Sequence, residues 1–212
     1  MTSTAHHLDR LSQNWEDTAE FLGTPHLAYV LDGFFVPEGY ELLSCITKDS
    51  YIIKQNIRLI YFKGIEPETI YSFELKTTPL KDSKFNAEEM TTLRVWSSSQ
   101  DWHNKMLFGF AGLMFKQLLN QHIVLVSDTE QTESDKRFWL YRLGESLKRS
   151  NRKVSYYDKR NFDEQMQPIL EHISEQDELV SHVELAWNAD EYNKNSVFII
   201  SQETVNEENY DH

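Results

Sequence analysis

Apolar residues open the chain at helical spacing. Leu8, Leu11, Trp15, Thr18, Ala19 and Leu22 stand on one face, so residues 4–22 are predicted helical. Gly23 and Pro25 end that run. The period then drops to two. Runs rich in Val, Ile, Tyr and Phe cover 26–31, 40–47, 51–53, 57–62 and 69–76, separated by Gly33, Pro37, Gly39, Gly64 and Pro67. Each run predicts a strand, and the short connections imply an antiparallel meander. Residues 79–86 are polar and read as an exposed loop, and 90–96 as a further strand.

The second half changes character. Asp101 can cap a helix over 101–120, to which Trp102, Met106, Phe110, Leu113, Phe115 and Leu118 give apolar surface. Residues 122–127 (HIVLVS) are continuously apolar, as in a strand buried on both faces. Thr132 with Asp135 resembles a capping box opening a helix that carries Phe138, Trp139, Leu143 and Leu147. A strand at 153–157 follows. Strand–helix–strand–helix–strand predicts right-handed crossovers on one sheet. Residues 163–175 and 178–192 read as two acidic amphipathic helices, although Pro168 sits badly inside the first. A strand at 196–201 closes the pattern, and 202–212 read as a loose end. The fold class expected is α/β: a central mixed, mostly antiparallel sheet flanked by helices. It forms one domain over 1–202, with a helical insertion at 163–192 and an acidic tail at 203–212.

Composition adds limits. Hydrophobic residues make up 40% of the 212 and aromatics 13%, enough for a core. No apolar run approaches membrane-spanning length and the N-terminus lacks a signal-peptide pattern, so a cytoplasmic protein without membrane contact is expected. Cys45 is the single cysteine, which excludes an internal disulfide and fits a reducing compartment. His6, His7, His103, His122, His172 and His182 have no metal-type spacing, so no metal is expected. Charge is uneven. The net is −13, yet residues 163–212 hold thirteen acids and one base, whereas 136–160 hold nine bases and two acids. Direct nucleic-acid binding is therefore not expected, and the acidic segment is expected to lie against the basic one.

The stretch Phe108-Gly109-Phe110-Ala111-Gly112 heads an apolar run, ahead of a buried strand, a polar turn and the Phe138-Trp139 helix. With an antiparallel front half, this order resembles the GNAT N-acyltransferase superfamily over about 90–157. There a Gln/Arg-x-x-Gly-x-Gly/Ala turn holds the pyrophosphate of acyl-CoA against a helix N-terminus. Met106-x-x-Gly109-x-Ala111-Gly112 takes that place here. The resemblance implies a GNAT-like topology, acyl-CoA as cofactor and an amine as substrate. Gly109, Ala111 and Gly112 would cradle the phosphates, and Lys136, Arg137 and Arg142 would face the acidic cofactor. Glu74, Asp128 or Tyr141 would be the proton acceptor. Two positions depart from the family: Met106 replaces its polar residue, and Trp139 stands where many members have an acidic tyrosine. A helix begun at 101 would also enclose Gly109, with its N–H already bonded. Close helix–sheet packing accounts for the same small residues. The chain is also similar to small phage and prophage proteins with an SDT-x-x-T-x-S turn.

A second class of function fits the charge. An acidic interaction protein would present Glu171, Glu175, Glu178, Glu184, Asp190 and Glu191 on one face. It would mimic nucleic acid or block a basic host nuclease or defence protein.

Overall fold

The computed structural model describes residues 11–79, 88–122, 124–127, 133–164, 168–187 and 196–202. Expectations resting on His6, His7, Leu8, Asp128, Thr132, Asp190 and Glu191, on the 80–87 part of the polar loop and on 203–212 lie outside them. In chain order the elements are α1 (Leu11–Leu22), β1 (Leu27–Ala28), β2 (Tyr40–Asp49), β3 (Ile52–Tyr61), β4 (Glu68–Pro79), β5 (Glu89–Ser97), α2 (Asp101–Met106), α3 (Phe110–Gln121), β6 (Val124–Ser127), α4 (Glu133–Leu147), β7 (Arg152–Phe162), β8 (Pro168–Ile173), α5 (Gln176–Trp187) and β9 (Ser196–Gln202). The strands form one nine-stranded sheet in the order β1-β2-β3-β4-β5-β6-β9-β7-β8. Among the described residues β5 and β6 are the one parallel pair of neighbours, and the rest are antiparallel. The α/β, mixed and mostly antiparallel expectation therefore holds.

Alternation along the strands sends side chains to two unlike faces. One face carries Ile57, Phe73, Leu93, Leu125, Phe198 and Ile200, and α3, α4 and α5 cover it. Phe110, Met114 and Leu118 recur every four residues on α3 and are all fully buried. Each such side chain contributes roughly 1.5–3 kcal/mol by leaving water. The other face meets α1, held partly by polar contacts. A register shift between Leu59 and Ile60 pairs Ile60 with Thr69 and skips Ile70. Asn14 then mimics a strand: it accepts from the Thr69 N–H at 2.8 Å and donates to the Thr69 carbonyl at 2.9 Å. Thr18, grouped with the apolar stripe in the sequence, accepts from the same N–H at 3.0 Å.

Several elements differ from expectation. The predicted strand at 26–31 shrinks to two residues. The runs at 51–53 and 57–62 fuse into β3, whose polar middle, Lys54 to Asn56, stays in register with β2 and β4. The acidic helix expected at 163–175 is absent; the strand β8 lies there and pairs with β7, itself longer than the 153–157 expected. The physical reason is Pro168, which a helix interior rejects and the first residue of a strand accepts. Among the described residues of 163–192 a hairpin strand precedes one helix, where two helices were expected. Acidic and basic stretches do adjoin as expected, through the β7–β8 pairing and through Lys136, which donates to the Trp187 carbonyl at 3.0 Å. Among the described residues no helix is long and apolar enough to cross a membrane.

Candidate functional site

Residues 101–120 form two helices, not one. After α2 the Leu107 N–H bonds the His103 carbonyl and the Phe110 N–H bonds the Leu107 carbonyl, each at 3.0 Å. Gly109 between them has φ +82° and caps α3. A residue with a Cβ is strained there. Its carbonyl accepts from Gly112 and Leu113 at 3.0 and 3.1 Å, which starts the helix. The expectation of Gly109 inside a helix is therefore corrected: it stands at the mouth, where the Phe110, Gly112 and Leu113 N–H groups are taken by Leu107 and Gly109 and those of Gly109 and Ala111 make no bond among the described residues. Because α3 returns the chain from the end of β5 to the start of β6, this mouth lies at the C-terminal end of the parallel pair.

Arg142 of α4 reaches the same turn. A Cβ on Gly112 would lie 3.3 Å from Nη2 and 3.4 Å from Nη1 of Arg142, so the missing side chain leaves room for the guanidinium. The fork sits over Tyr141, Phe138 and Phe115, with centroids at 4.9, 5.4 and 5.7 Å. Its Nε is buried and has no hydrogen bond among the described residues. Burial pulls the Arg142 pKa down, partly opposed by Tyr141, Glu145 and Tyr71. A cation and the positive end of a helix dipole thus converge on one spot, which favours an anion there.

Beneath the turn runs a buried chain of titratable groups. His103 is fully buried, its Nδ1 is 2.8 Å from the Tyr40 hydroxyl, and its Nε2 is 3.1 Å from Glu68 Oε1. Trp102 lies over the ring with centroids 3.5 Å apart, and Tyr61 approaches edge-on at 5.3 Å. Burial lowers the His103 pKa despite Glu68. Burial, with Tyr61 and Glu68, pushes the Tyr40 hydroxyl to about 12. With the imidazole neutral, its Nε2–H donates to Glu68 and the Tyr40 hydroxyl donates to Nδ1. This anchors α2, and through Leu107 the glycine turn.

A cavity of about 810 Å³ opens on the α1 face of the sheet. Its floor is polar on β3, β4 and β5, with Lys54, Asn56, Glu74, Lys76 and Arg94, and apolar beyond, with Val126, Val197 and Ile199. Glu74 lies opposite Asn56 and Arg94 in the sheet, with its Oε2 3.9 Å from Arg94 Nη1.

The sequence-derived candidates divide between these places. Gly109, Ala111 and Gly112 form the turn and the first residues of α3. Tyr141 is exposed on α4 beside Arg142. Glu74 is on the trough floor, across the sheet from α3. Lys136 is spent on the Trp187 carbonyl. Arg137 is exposed on α4. Asp128 lies outside the described residues. Sequence reasoning missed Glu68, Tyr40 and His103 as a unit, because the contacts span 35 and 63 positions. It also missed Arg58, whose one signal is a charge among the apolar residues of Ile57-Arg58-Leu59-Ile60.

Compared with known proteins, the chain matches no protein-family model, no curated protein and no solved structure.

Proposed function

We propose that the chain binds an acyl-CoA at the Gly109 turn and acts as an N-acyltransferase of GNAT-like topology. The observation that carries this reading is the placement of Gly109. It caps α3 in the left-handed region, at the C-terminal end of the one parallel pair among the described residues, and Arg142 lies on the first turn of that helix. The Gly109 and Ala111 N–H groups and the Arg142 guanidinium would hold the pyrophosphate. Attack of an amine on a thioester then requires positioning and a proton acceptor. Tyr141 stands on the same side of the sheet as the turn, and Glu74 on the other.

The reading of an acidic interaction surface draws less support. Glu178 accepts from the Ser174 and Glu175 N–H groups at 2.9 and 3.3 Å, and Glu171 holds His182 at 3.0 Å. These carboxylates complete local structure.

Calorimetric titration with acetyl-CoA tests the proposal. Saturable binding is expected, weakened about tenfold or more in Arg142→Met through loss of a charge-assisted pair. No heat at millimolar acetyl-CoA would contradict it.

A further inference from the structure

Arg58 is an unusual buried charge. Only 4% of it is exposed, beneath the Phe21 ring 4.8 Å away, yet among the described residues no carboxylate approaches it within ion-pair distance. Its Nη1 donates to the main-chain carbonyl of Asp17 at 3.1 Å and to Thr69 Oγ1 at 3.5 Å, and its Nε to Asn56 Oδ1 at 3.4 Å, while its Nη2 makes no hydrogen bond among the described residues and is not sealed from solvent. Burial lowers the Arg58 pKa, and Asp17, Glu74 and Glu20 act against that from a distance. A buried cation is ordinarily paired, because desolvation costs several kcal/mol. Arg58, Asp17 and Glu20 all line the 810 Å³ trough. A cationic fork from β3 and two acids from α1 therefore meet at its end without joining each other.

We infer that this end of the trough binds a small zwitterion of the α-amino-acid type. Its carboxylate pairs with Arg58, and its ammonium faces Asp17 and Glu20. A simple anion gains from Arg58 but is repelled by the two acids. A simple amine gains from the acids but meets Arg58. One molecule carrying both groups satisfies both sides and, unlike either alone, adds no net charge. The remaining trough, with Asn56 and Glu74 beside the site, leaves room for the side chain. The sheet stands between this end of the trough and the Gly109 turn, so the ligand here is not placed as the acceptor of the acyl transfer proposed above. Its binding is read without any acyl-CoA, so failure here and failure of the cofactor reading are separate results.

The test is amide NMR on the full chain, titrated with L-leucine, L-glutamate and L-lysine. Alongside run 4-methylpentanoate and 3-methylbutylamine, which are leucine without its amine and without its carboxylate. At least one amino acid should shift the Asp17, Asn56 and Arg58 amides saturably. If leucine is that ligand, each analogue should bind about tenfold or more weakly, as loss of one charge-assisted pair implies. Arg58→Lys, which keeps the charge and loses the Nη2 donor, should weaken binding by a similar factor. Because Arg58 also ties α1 to β3, Glu20→Gln at an exposed position is the second variant. It should weaken amino-acid binding while leaving 4-methylpentanoate binding unchanged or tighter. Absence of saturable shifts at these amides with all three amino acids overturns the inference. So does 4-methylpentanoate binding as tightly as leucine.

Discussion

At the residue scale, two neighbouring glycines do different work. Gly109 has φ +82° and nothing within 4 Å of the place a Cβ would take, so Gly109→Ala meets backbone strain alone. A loss of about 1–2 kcal/mol is expected in denaturant unfolding. Gly112 is helical, and an added methyl there meets the end of the flexible Arg142 side chain. Gly112→Ala should hold or raise stability while moving Arg142 off the turn, so acetyl-CoA affinity should fall without unfolding. The two glycines share one short sequence stretch, but only the backbone angle tells them apart, and composition carries no trace of it. His103 is a second case. Burial keeps it below the ordinary histidine value near 6.5, so it folds neutral. Its contribution to stability is present above that value and lost as pH falls through it, and His122 acts in the same direction. His182 has the opposite sign: burial pulls it down, but Glu171 and the Glu178 carbonyl raise it overall. Its smaller, partly solvated contribution is present below about 6.5 and lost as pH rises through its raised value. An NMR titration of the His103 ring should give a midpoint below 6.5; a midpoint at or above it contradicts the buried neutral state.

At the element scale, periodicity found what periodicity can express. The meander β2–β5 and the burial of α3 follow from alternation and from four-residue spacing. The break after Met106 did not, because Trp102, Met106 and Phe110 keep helical spacing across it. The strand β8 did not either, since the six residues Pro168–Ile173 are too few for periodicity to tell strand from helix. Asp135 is a further example. It was expected as the capping-box partner of Thr132, which lies outside the described residues; it is buried, and its Oδ1 accepts from the Val95 N–H at 2.6 Å. The β5–β6 pairing covers Thr91, Thr92 and Leu93 and stops there, so Val95 lies past its end. A side chain of α4 thus closes the edge where the parallel strands part, and fixes α4 relative to β5. Asp135→Ala should cost about 3 kcal/mol, combining a lost charge-assisted bond with an unpaired buried N–H. Asp135→Asn, which can still accept, should cost less. Equal costs for the two variants in denaturant unfolding would show that the bond to Val95 is not what matters.

At the scale of the molecule, the sheet separates two polar sites. The glycine turn with Arg142 belongs to the helix-covered face, and the trough with Arg58 and Glu74 to the α1 face. The net charge of −13 says nothing about either, because both gather cations from different parts of the chain. Arg142 and Arg58 are 84 positions apart and are separated by the sheet. In the proposed function the Gly109 turn is an anion cradle for acyl-CoA. Amide NMR during a CoA titration tests it most directly. Saturable shifts of the Gly109, Phe110, Ala111 and Gly112 amides are expected, with loss of those shifts at high salt as for an exposed phosphate contact. Unchanged amides along 109–112 at millimolar CoA, or shifts confined to other parts of the sheet, would contradict it.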